Sequence, residues 1–256
     1  MGEMLTRLDH LVILVGELEE TVVGYEELGF RVTPGGEHAD GLTRNALVPF
    51  ADGTYLELVA FIDPNDERDN VWGWRPFLET GGGLVDYCAA SDDLAADARR
   101  LVEAGFGLDG PDAGGRSLPD GTDIRWKSAR IRQEGRVLPF LIEDETPRRL
   151  RVPSGSLAEH PNGATGISRF LISARNATES RRALAALAGS PGTTGDTSLL
   201  GRHELAIVTP DGVEDPVERR LELSGPGPFA VEIATDAVRR GELDPKLTCG
   251  ARIYLR

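Results

Sequence analysis

The sequence predicts an α+β fold of tandem βαβββ modules whose strands form one cupped, mixed sheet, with a third module-like segment at the C-terminal end. A strand-length apolar run, followed by a helical pattern and several short strands, occurs three times along the 256 residues. The first two copies keep the same spacing, and such internal repeats decide the fold before any single element does. With 40% hydrophobic residues, the chain can bury a full core.

The first copy begins with an apolar run of strand length over residues 8–15. Apolar residues between 18 and 28 then recur at spacings of three and four, which indicates one buried face of a helix. Gly29 is placed to end that helix, because glycine favours the position after a helix C-terminus. Two further strands are predicted over residues 44–50 and 55–61, joined by a turn that contains Gly53.

The second copy repeats this order. Residues 83–90 form its first strand, and Asp92 and Asp93 precede its helix as candidate N-caps. Two later strands are predicted over residues 124–132 and 136–142.

The two copies share a register. His10 lies nineteen residues before Gly29, and Asp86 lies nineteen residues before Gly105, each glycine ending its helix. The second copy also contains residues 107–121, which are rich in Gly, Pro and Asp. This composition predicts a long loop, and long loops within a domain are often functional.

The third copy is weaker. It combines a strand over residues 166–173, a cap at Asn176 and a helix over 180–187 that ends at Gly189, with a spacing of twenty residues from Arg169. Its later strands are predicted over residues 203–209, 219–224, 229–235 and 251–255. We therefore divide the chain into a two-module domain (5–146), a linker rich in Pro and Gly (147–164) and a third module (165–256).

Several short motifs resemble the vicinal-oxygen-chelate superfamily, and more specifically its glyoxalase-like branch (glyoxalase/bleomycin resistance/dioxygenase). They are LDHLV at 8–12, GGEH at 35–38, TRNAL at 43–47, YLEL at 55–58, Arg116, PDG at 119–121, Trp126 and PFLI at 139–142. The resemblance covers residues 5–145 well and the third copy only in its general shape.

The resemblance implies a divalent metal in the cup, held by residues of the first and fourth strands of each module. Those positions fall on His10 and Glu57 in the first module, and on Asp86 and Phe140 in the second. Phenylalanine cannot bind a metal, so three ligands remain: His10, Glu57 and Asp86. A set with one nitrogen favours Mn, Fe or Mg, although Ni or Zn stays open.

Each ligand has a structural alternative. His10 lies in a strand that is apolar on both faces, where a histidine can simply be a hydrogen-bonded core residue. Glu57 lies between two leucines, and burying a carboxylate is costly unless it is paired, for example with Arg44, or binds a metal. Asp86 can accept a hydrogen bond from a loop backbone instead.

Further residues are candidates to surround the substrate, and the resemblance implies that His38 reaches over the cup. The catalytic candidates are His38, as general acid or base, and Glu57. The substrate-binding candidates are Arg44, Asn45, Trp72, Trp74, Arg116 and Trp126. Arg44 and Asn45 together could bind a carboxylate. The alternatives are a solvated loop for His38 and Arg116, an edge ion pair for Arg44, and a hydrophobic plug for the tryptophans.

The composition and the absence of certain motifs exclude several classes of partner and cofactor. A net charge of −14 repels phosphate backbones, so we expect no nucleic-acid partner. The sequence has no Walker loop and no dinucleotide-binding glycine motif, so we expect no nucleotide cofactor. Cys88 and Cys249 do not indicate a disulfide framework or a zinc site. Without a signal peptide or a span of about 20 apolar residues, we expect a cytoplasmic protein with no membrane partner.

Two function classes follow. The first is a metal-assisted lyase or isomerase that acts on a small molecule with vicinal oxygens, where the metal stabilises an oxyanion and a base moves a proton. The alternative is a non-catalytic protein that binds or sequesters a drug or metabolite and keeps a degenerate metal site. The third module leaves a sheet face that could pair with a second copy, so a homodimer is also predicted.

Overall fold

The computed structural model describes residues 5, 7–118, 120–188, 197–238 and 240–256. The first module contains β1 (Arg7–Leu14), α1 (Leu18–Glu27), β2 (Thr33–His38), β3 (Thr43–Pro49) and β4 (Tyr55–Phe61). The second contains β5 (Gly83–Ala90), α2 (Leu94–Glu103), β6 (Gly107–Ser117), β7 (Asp123–Arg132) and β8 (Phe140–Asp144). Between the modules, Arg75–Thr80 form a 3₁₀ helix.

These eight strands close into a barrel in the order β1-β4-β3-β2-β6-β7-β8-β5. Within each module the first and last strands are parallel, and the two first strands pair antiparallel with each other. The ring is completed by a short contact between β2 and β6. The predicted α+β fold with a cupped, mixed sheet is confirmed.

The predicted register between the modules also holds in the strand pairing. Glu57 pairs with Val12, two residues after His10. Phe140 pairs with Cys88, two residues after Asp86. Phe140 and Asp86 therefore occupy the positions in the second module that Glu57 and His10 occupy in the first.

Strand β1 is buried on both faces because it separates two packed interiors. Leu11 and Ile13 belong to the larger core, whereas Val12 belongs to a smaller cluster with Trp74 and Phe140. Side chains alternate between the faces of a strand, so one parity of β1 faces the barrel interior and the other faces the rest of the molecule. The helix α2 begins as predicted, with the Asp93 carboxylate accepting a hydrogen bond from the Ala96 amide.

The C-terminal segment contains β9 (Ala164–Ser173), α4 (Ala177–Ala188), β10 (Thr197–Leu200), β11 (His203–Val208), α5 (Pro216–Ser224), β12 (Gly227–Thr235), β13 (Gly241–Glu242) and β14 (Ile253–Leu255). Its sheet has the order β10-β11-β9-β12-β14-β13. The parallel pairs β9/β11 and β12/β14 and the antiparallel pair β9/β12 repeat the pairing of β1/β4, β5/β8 and β1/β5. The segment is therefore an open sheet whose central strands pair in the same way as the first and last strands of the two modules in the barrel.

Three sequence predictions were wrong. Residues 107–121 are mostly the strand β6 and not a loop, because β6 pairs along its length with β7. Residues 219–224 belong to helix α5, which starts with Pro216 and the capping carboxylate of Asp215. The strand predicted over 136–142 begins only at Phe140. Gly189, the predicted end of the third helix, lies outside the described residues.

The stretch predicted as a linker carries structure of its own. It contains helix α3 (Arg148–Arg151) and a 3₁₀ turn (Gly155–Ala158). Arg151, at the end of α3, is only 2% exposed. The division into domains stays a prediction. No helix in the described ranges has both the length and the apolar character that a membrane crossing requires.

Candidate functional site

A small inner cavity of about 50 Å³ lies inside the barrel, enough for a few water molecules. Its lining residues are His10, His38, Tyr55, Glu57, Trp72, Trp74, Arg116, Trp126, Phe140, Ile142 and Arg151. An outer pocket of about 190 Å³ shares three of them, His38, Trp72 and Trp126. These three side chains therefore stand between the inner cavity and the outer pocket.

Glu57 is the central carboxylate of the inner cavity. It accepts a hydrogen bond from Asn45 Nδ2 at 2.5 Å. One carboxylate oxygen lies 3.3 Å from His10 Nε2, and the other lies 3.4 Å from His38 Nε2. Burial alone would raise the pKa of Glu57, but its contacts with the two histidines outweigh burial and hold that pKa well below the usual range. Glu57 is therefore ionised at neutral pH.

Two glycines make this arrangement possible. A Cβ at Gly35 would lie 1.9 Å from Asn45 Oδ1, so a side chain there would displace the amide that holds Glu57. A Cβ at Gly36 would lie 2.2 Å from the Ser117 carbonyl oxygen. Gly36 has a φ of 135°, which favours glycine. The glycine pair in β2 thus lets this strand close the barrel against β6.

His10 lies between two carboxylates. Its Nδ1 is 2.7 Å from Asp9 Oδ1, and its Nε2 faces Glu57. Burial lowers the pKa of an imidazole, but the hydrogen bonds with Asp9 and Glu57 outweigh burial and raise the pKa of His10. The His10 ring also stacks on Tyr55, with 4.6 Å between the ring centroids.

His38 is fixed by Thr43, whose hydroxyl lies 2.8 Å from His38 Nδ1. Its Nε2 is 3.4 Å from both Glu57 Oε1 and Asn45 Nδ2. These distances exceed the usual 2.7–3.2 Å of an N–H···O hydrogen bond, so the contact with Thr43 is the shortest polar contact of the ring. In the β2/β6 contact, His38 is directly opposite Arg116, and opposite residues of an antiparallel pair share a face.

Arg151 anchors the wall behind His10. Its guanidinium donates to both oxygens of Asp9, at 2.9 and 3.1 Å, to Asp144 at 2.5 Å and to the Tyr55 hydroxyl at 2.7 Å. Arg148 also pairs with Asp9. Burial would raise the pKa of Asp9, but Arg151, His10 and Arg148 hold it well below the usual range.

Arg116 is 4% exposed, and its hydrogen bonds go to uncharged acceptors. It donates to Asn45 Oδ1 at 3.2 Å and to the Arg151 carbonyl oxygen at 2.7 Å. Its buried Nε has no hydrogen-bond partner. Burial lowers the pKa of Arg116, although a guanidinium stays charged in proteins.

The structure brings most of the sequence-predicted residues to one place. His10, His38, Glu57, Trp72, Trp74, Arg116 and Trp126 line the inner cavity, and Asn45 binds Glu57 at its wall. Arg44 does not join them, because it lies on the opposite face of β3 and pairs with Glu19 of α1. The expected carboxylate site of Arg44 with Asn45 is therefore wrong, since adjacent strand residues face opposite sides.

Asp86 lies in the barrel wall but does not line the inner cavity. Its Oδ2 accepts hydrogen bonds from Trp74 Nε1 at 3.0 Å and from Arg136 at 2.5 Å. Burial raises the pKa of Asp86 more than Arg136 lowers it. Arg136 also donates to the carbonyl oxygens of Trp72 and Gly73, so Asp86 and Arg136 hold the Trp-Gly-Trp segment against β5.

Three residues of the site were missed from the sequence as partners: Asp9, Tyr55 and Arg151. Asp9 had a signal, because a carboxylate directly before His10 in an apolar strand needs a partner. The sequence carries no signal for Arg151, because this residue lies in a stretch whose composition is typical of a linker.

The described residues do not fit the metal site implied by the resemblance. Asp86 is already bound by Arg136 and Trp74, and Phe140 fills the fourth ligand position with its ring 5.4 Å from that of His10. One other group, Asp9, His10 and Cys88, brings ligand atoms within 4.8 Å of one another. A cation there would meet two arginines on Asp9, and burial raises the pKa of Cys88 well above its ordinary value, so the thiol stays protonated.

The sequence matches the family model of the glyoxalase-like domain over residues 8–188. No curated protein matches it. The structure is similar to that of a hypothetical protein from Staphylococcus aureus, with a TM-score of 0.75, 14% identity and 98% of each chain covered. It is also similar to a mutant of 4-hydroxymandelate synthase from Streptomyces coelicolor, with a TM-score of 0.63, 16% identity, and 92% of this chain and 72% of that chain covered.

The structural match to a methylmalonyl-CoA epimerase from Mycobacterium tuberculosis has a TM-score of 0.43 and 25% identity. It covers 59% of this chain and 95% of that chain. The family model includes nearly the whole barrel and every residue of the inner cavity. The resemblance to the vicinal-oxygen-chelate superfamily is thus confirmed, and the chain belongs to the glyoxalase-like domain family.

Proposed function

We propose that this protein is an enzyme of the lyase or isomerase class in which His38 takes a proton from the carbon next to a carbonyl of a small substrate. The electron pair of that C–H bond moves to the carbonyl oxygen to give an enolate, and the His38 imidazolium returns the proton to carbon. The observation that carries the proposal is the His38–Glu57 pair at the boundary between the inner cavity and the outer pocket. His38 Nε2 lies 3.4 Å from Glu57 Oε1, and both side chains line the inner cavity.

The pair has the chemistry that proton transfer needs. A neutral imidazole accepts a proton at Nε2 while its Nδ1 hydrogen bonds to Thr43. Glu57 stays ionised because its pKa is held well below the usual range by the histidines, so it stabilises the imidazolium that forms. In the Ser-His-Asp triad the carboxylate lies on the other ring nitrogen; here Glu57 lies on the Nε2 side and stabilises the imidazolium by its charge.

His10 and Asn45 position Glu57 and do not face the substrate directly in this scheme. Asn45 donates to Glu57 at 2.5 Å, and His10 connects Glu57 to Asp9. Loss of either contact would leave a buried carboxylate short of donors, which is costly.

No metal step enters the proposal, because Asp86 and Phe140 supply no free ligand in the second module. The proposal therefore retains His38, the base predicted from the sequence, and assigns no role to a metal. The alternative of a purely sequestering protein is not favoured, since such a protein has no need of a histidine–carboxylate pair beside its ligand.

The test is hydrogen–deuterium exchange at the carbon next to a carbonyl, followed by NMR in D₂O. The probes are pyruvate, 2-oxobutyrate and acetophenone. We expect the wild-type protein to accelerate exchange of at least one probe. His38→Gln should slow it by about 100-fold or more, the usual contribution of a general base. Glu57→Gln should slow it by at least about 10-fold.

Arg44→Gln is the matched control, because Arg44 lies on β3 beside Asn45 but faces away from the cavity. Its exchange rate should equal that of the wild-type protein. The proposal fails if no probe exchanges faster than in buffer, or if His38→Gln exchanges as fast as the wild-type protein.

A further inference from the structure

Arg116 differs from the other arginines around the inner cavity in having no carboxylate within ion-pair distance among the described residues. Arg151 pairs with Asp9 and Asp144, Arg148 with Asp9 and Arg136 with Asp86. Among the residues that the structure describes, Arg116 forms no ion pair within 4.0 Å, although only 4% of its surface is exposed. A buried charge without a counter-charge is costly, and proteins keep one only where something else offsets it.

The free group on Arg116 is its Nε. This atom is buried and has no hydrogen-bond partner. Arg100 and Arg169 also have such an Nε, but each forms an ion pair, with Asp97 and Glu204 respectively. Glu57 attracts the Arg116 charge without forming an ion pair, the Nε donor has no partner among the described residues, and the side chain lines the inner cavity.

The surroundings of Arg116 define what could approach it. Directly across the β2/β6 contact lies His38. The remaining wall of the inner cavity includes Trp72, Trp126 and Phe140, and the rings of Trp72 and Phe140 are 4.3 Å apart. A charged donor therefore lies beside a flat, apolar surface and opposite the proposed base.

We propose that Arg116 is the receptor for a carboxylate of the substrate. The carboxylate occupies the inner cavity of about 50 Å³, while the flat apolar body of a small organic acid extends past Trp72 and Trp126 into the outer pocket of about 190 Å³. The inference rests on the proposed function for the statement that the occupant is a substrate. Arginine binds carboxylates through a planar set of N–H donors and stays charged in a dry site. With the carboxylate on Arg116, the carbon that loses its proton lies on the side of His38.

The test uses quenching of tryptophan fluorescence by benzoate at pH 7, with the neutral analogue benzamide for comparison. Trp72 and Trp126 line the cavity and report on its occupation. We expect saturable binding of benzoate at least 10-fold tighter than that of benzamide. Arg116→Gln should weaken benzoate binding by at least 10-fold, whereas Arg44→Gln should leave it unchanged.

Arg116→Lys is a second variant, used in case Arg116→Gln loses binding only because it folds poorly. Lysine keeps the charge but loses the planar donors, so benzoate affinity should fall between those of Arg116→Gln and the wild-type protein. The inference is overturned if benzoate shows no saturable binding, if benzamide binds equally well, or if both Arg116 variants bind benzoate as tightly as the wild-type protein does.

Glu57→Gln separates this inference from the proposed function. It should slow proton exchange by at least about 10-fold but bind benzoate at least as tightly as the wild-type protein, because it removes a negative charge from the cavity. Benzoate binding that depends on Arg116 without any proton exchange would overturn the proposed function alone. Proton exchange with unchanged benzoate affinity in both Arg116 variants would overturn this inference alone.

Discussion

Asp86 and Arg136 form a buried ion pair at the place where the second module should offer a metal ligand. Asp86 is the register equivalent of His10, yet its carboxylate faces Arg136 and Trp74 and not the cavity. The same position in the repeat thus lines the inner cavity in one module and forms an ion pair in the barrel wall in the other.

Asp86→Ala should lower the free energy of unfolding by about 3 kcal/mol, because it leaves the Arg136 charge unpaired in a largely buried position. Urea denaturation measures this loss. Asp109→Ala is the control, since Asp109 pairs with Arg130 and Arg132 at an exposed site and should matter far less. An equal effect of the two substitutions would contradict the structural role of Asp86.

His10 and His160 should give opposite dependences of stability on pH. The pKa of His10 is raised above its ordinary 6.5 by Asp9 and Glu57 against the effect of burial. Its stabilising contribution is therefore complete below pH 6.5 and is lost as the pH rises through the raised value. The pKa of His160 is lowered from 6.5 by burial, so its contribution is complete above pH 6.5 and is lost as the pH falls below it.

Urea denaturation of His10→Gln and His160→Gln between pH 5 and pH 9 measures these slopes. The stability difference between wild-type protein and His10→Gln should shrink with rising pH, and the difference for His160→Gln should grow. Parallel slopes for the two variants would show that His10 does not gain a proton on folding.

Arg151→Leu should be among the most destabilising substitutions in the chain, by about 3–5 kcal/mol, because it leaves Asp9 and Asp144 without their buried partner. Arg149, two residues earlier on α3, is exposed, and Arg149→Leu should have almost no effect. Thermal or urea unfolding compares them. Equal stabilities would mean that α3 does not support the barrel.

Gly114→Ala should disturb the pocket without a general loss of stability. A Cβ at Gly114 would lie 2.4 Å from Trp126 Nε1, so the indole must move. We expect a shifted tryptophan emission and benzoate binding weakened several-fold. Gly16→Ala is the control because nothing lies within 4 Å of the added Cβ. Unchanged emission and affinity in Gly114→Ala would show that Trp126 does not shape the pocket.

The predicted homodimer is a separate question, which sedimentation of the purified protein answers. A strict monomer at all concentrations would rule it out, because a higher protein concentration favours the dimer by mass action.

The sequence predicted the barrel well because the repeat is local. Strand, cap, helix and terminal glycine follow one another within about twenty residues, and hydrophobic spacing reports each of them. The pairing of Val12 with Glu57 and of Cys88 with Phe140 then follows from the shared register. Strand β6 was missed because its four glycines and one proline disfavour a strand. Its pairing with β7 along most of its length holds it extended.

The site was predictable in its members but not in their pairing. Sequence motifs named His38 and Arg116 separately, and their opposition across β2 and β6 appears only once the barrel closes. The error on Arg44 was avoidable, because the alternation of side chains along β3 allows only one of Arg44 and Asn45 to face inward. Arg151 could not be found, since it lies 142 residues from Asp9 along the chain.

The barrel formed from two copies of one unit has a consequence for how new specificities arise. The side chains proposed to transfer the proton, His38 and Glu57, come from the first copy, while Phe140 and Trp126 come from the second. Because Phe140 stands where Glu57 stands in the first copy, the second copy contributes no group to the proton transfer itself under the proposed function. Substitutions at Phe140 or Trp126 should therefore change which substrates fit while leaving the base in place.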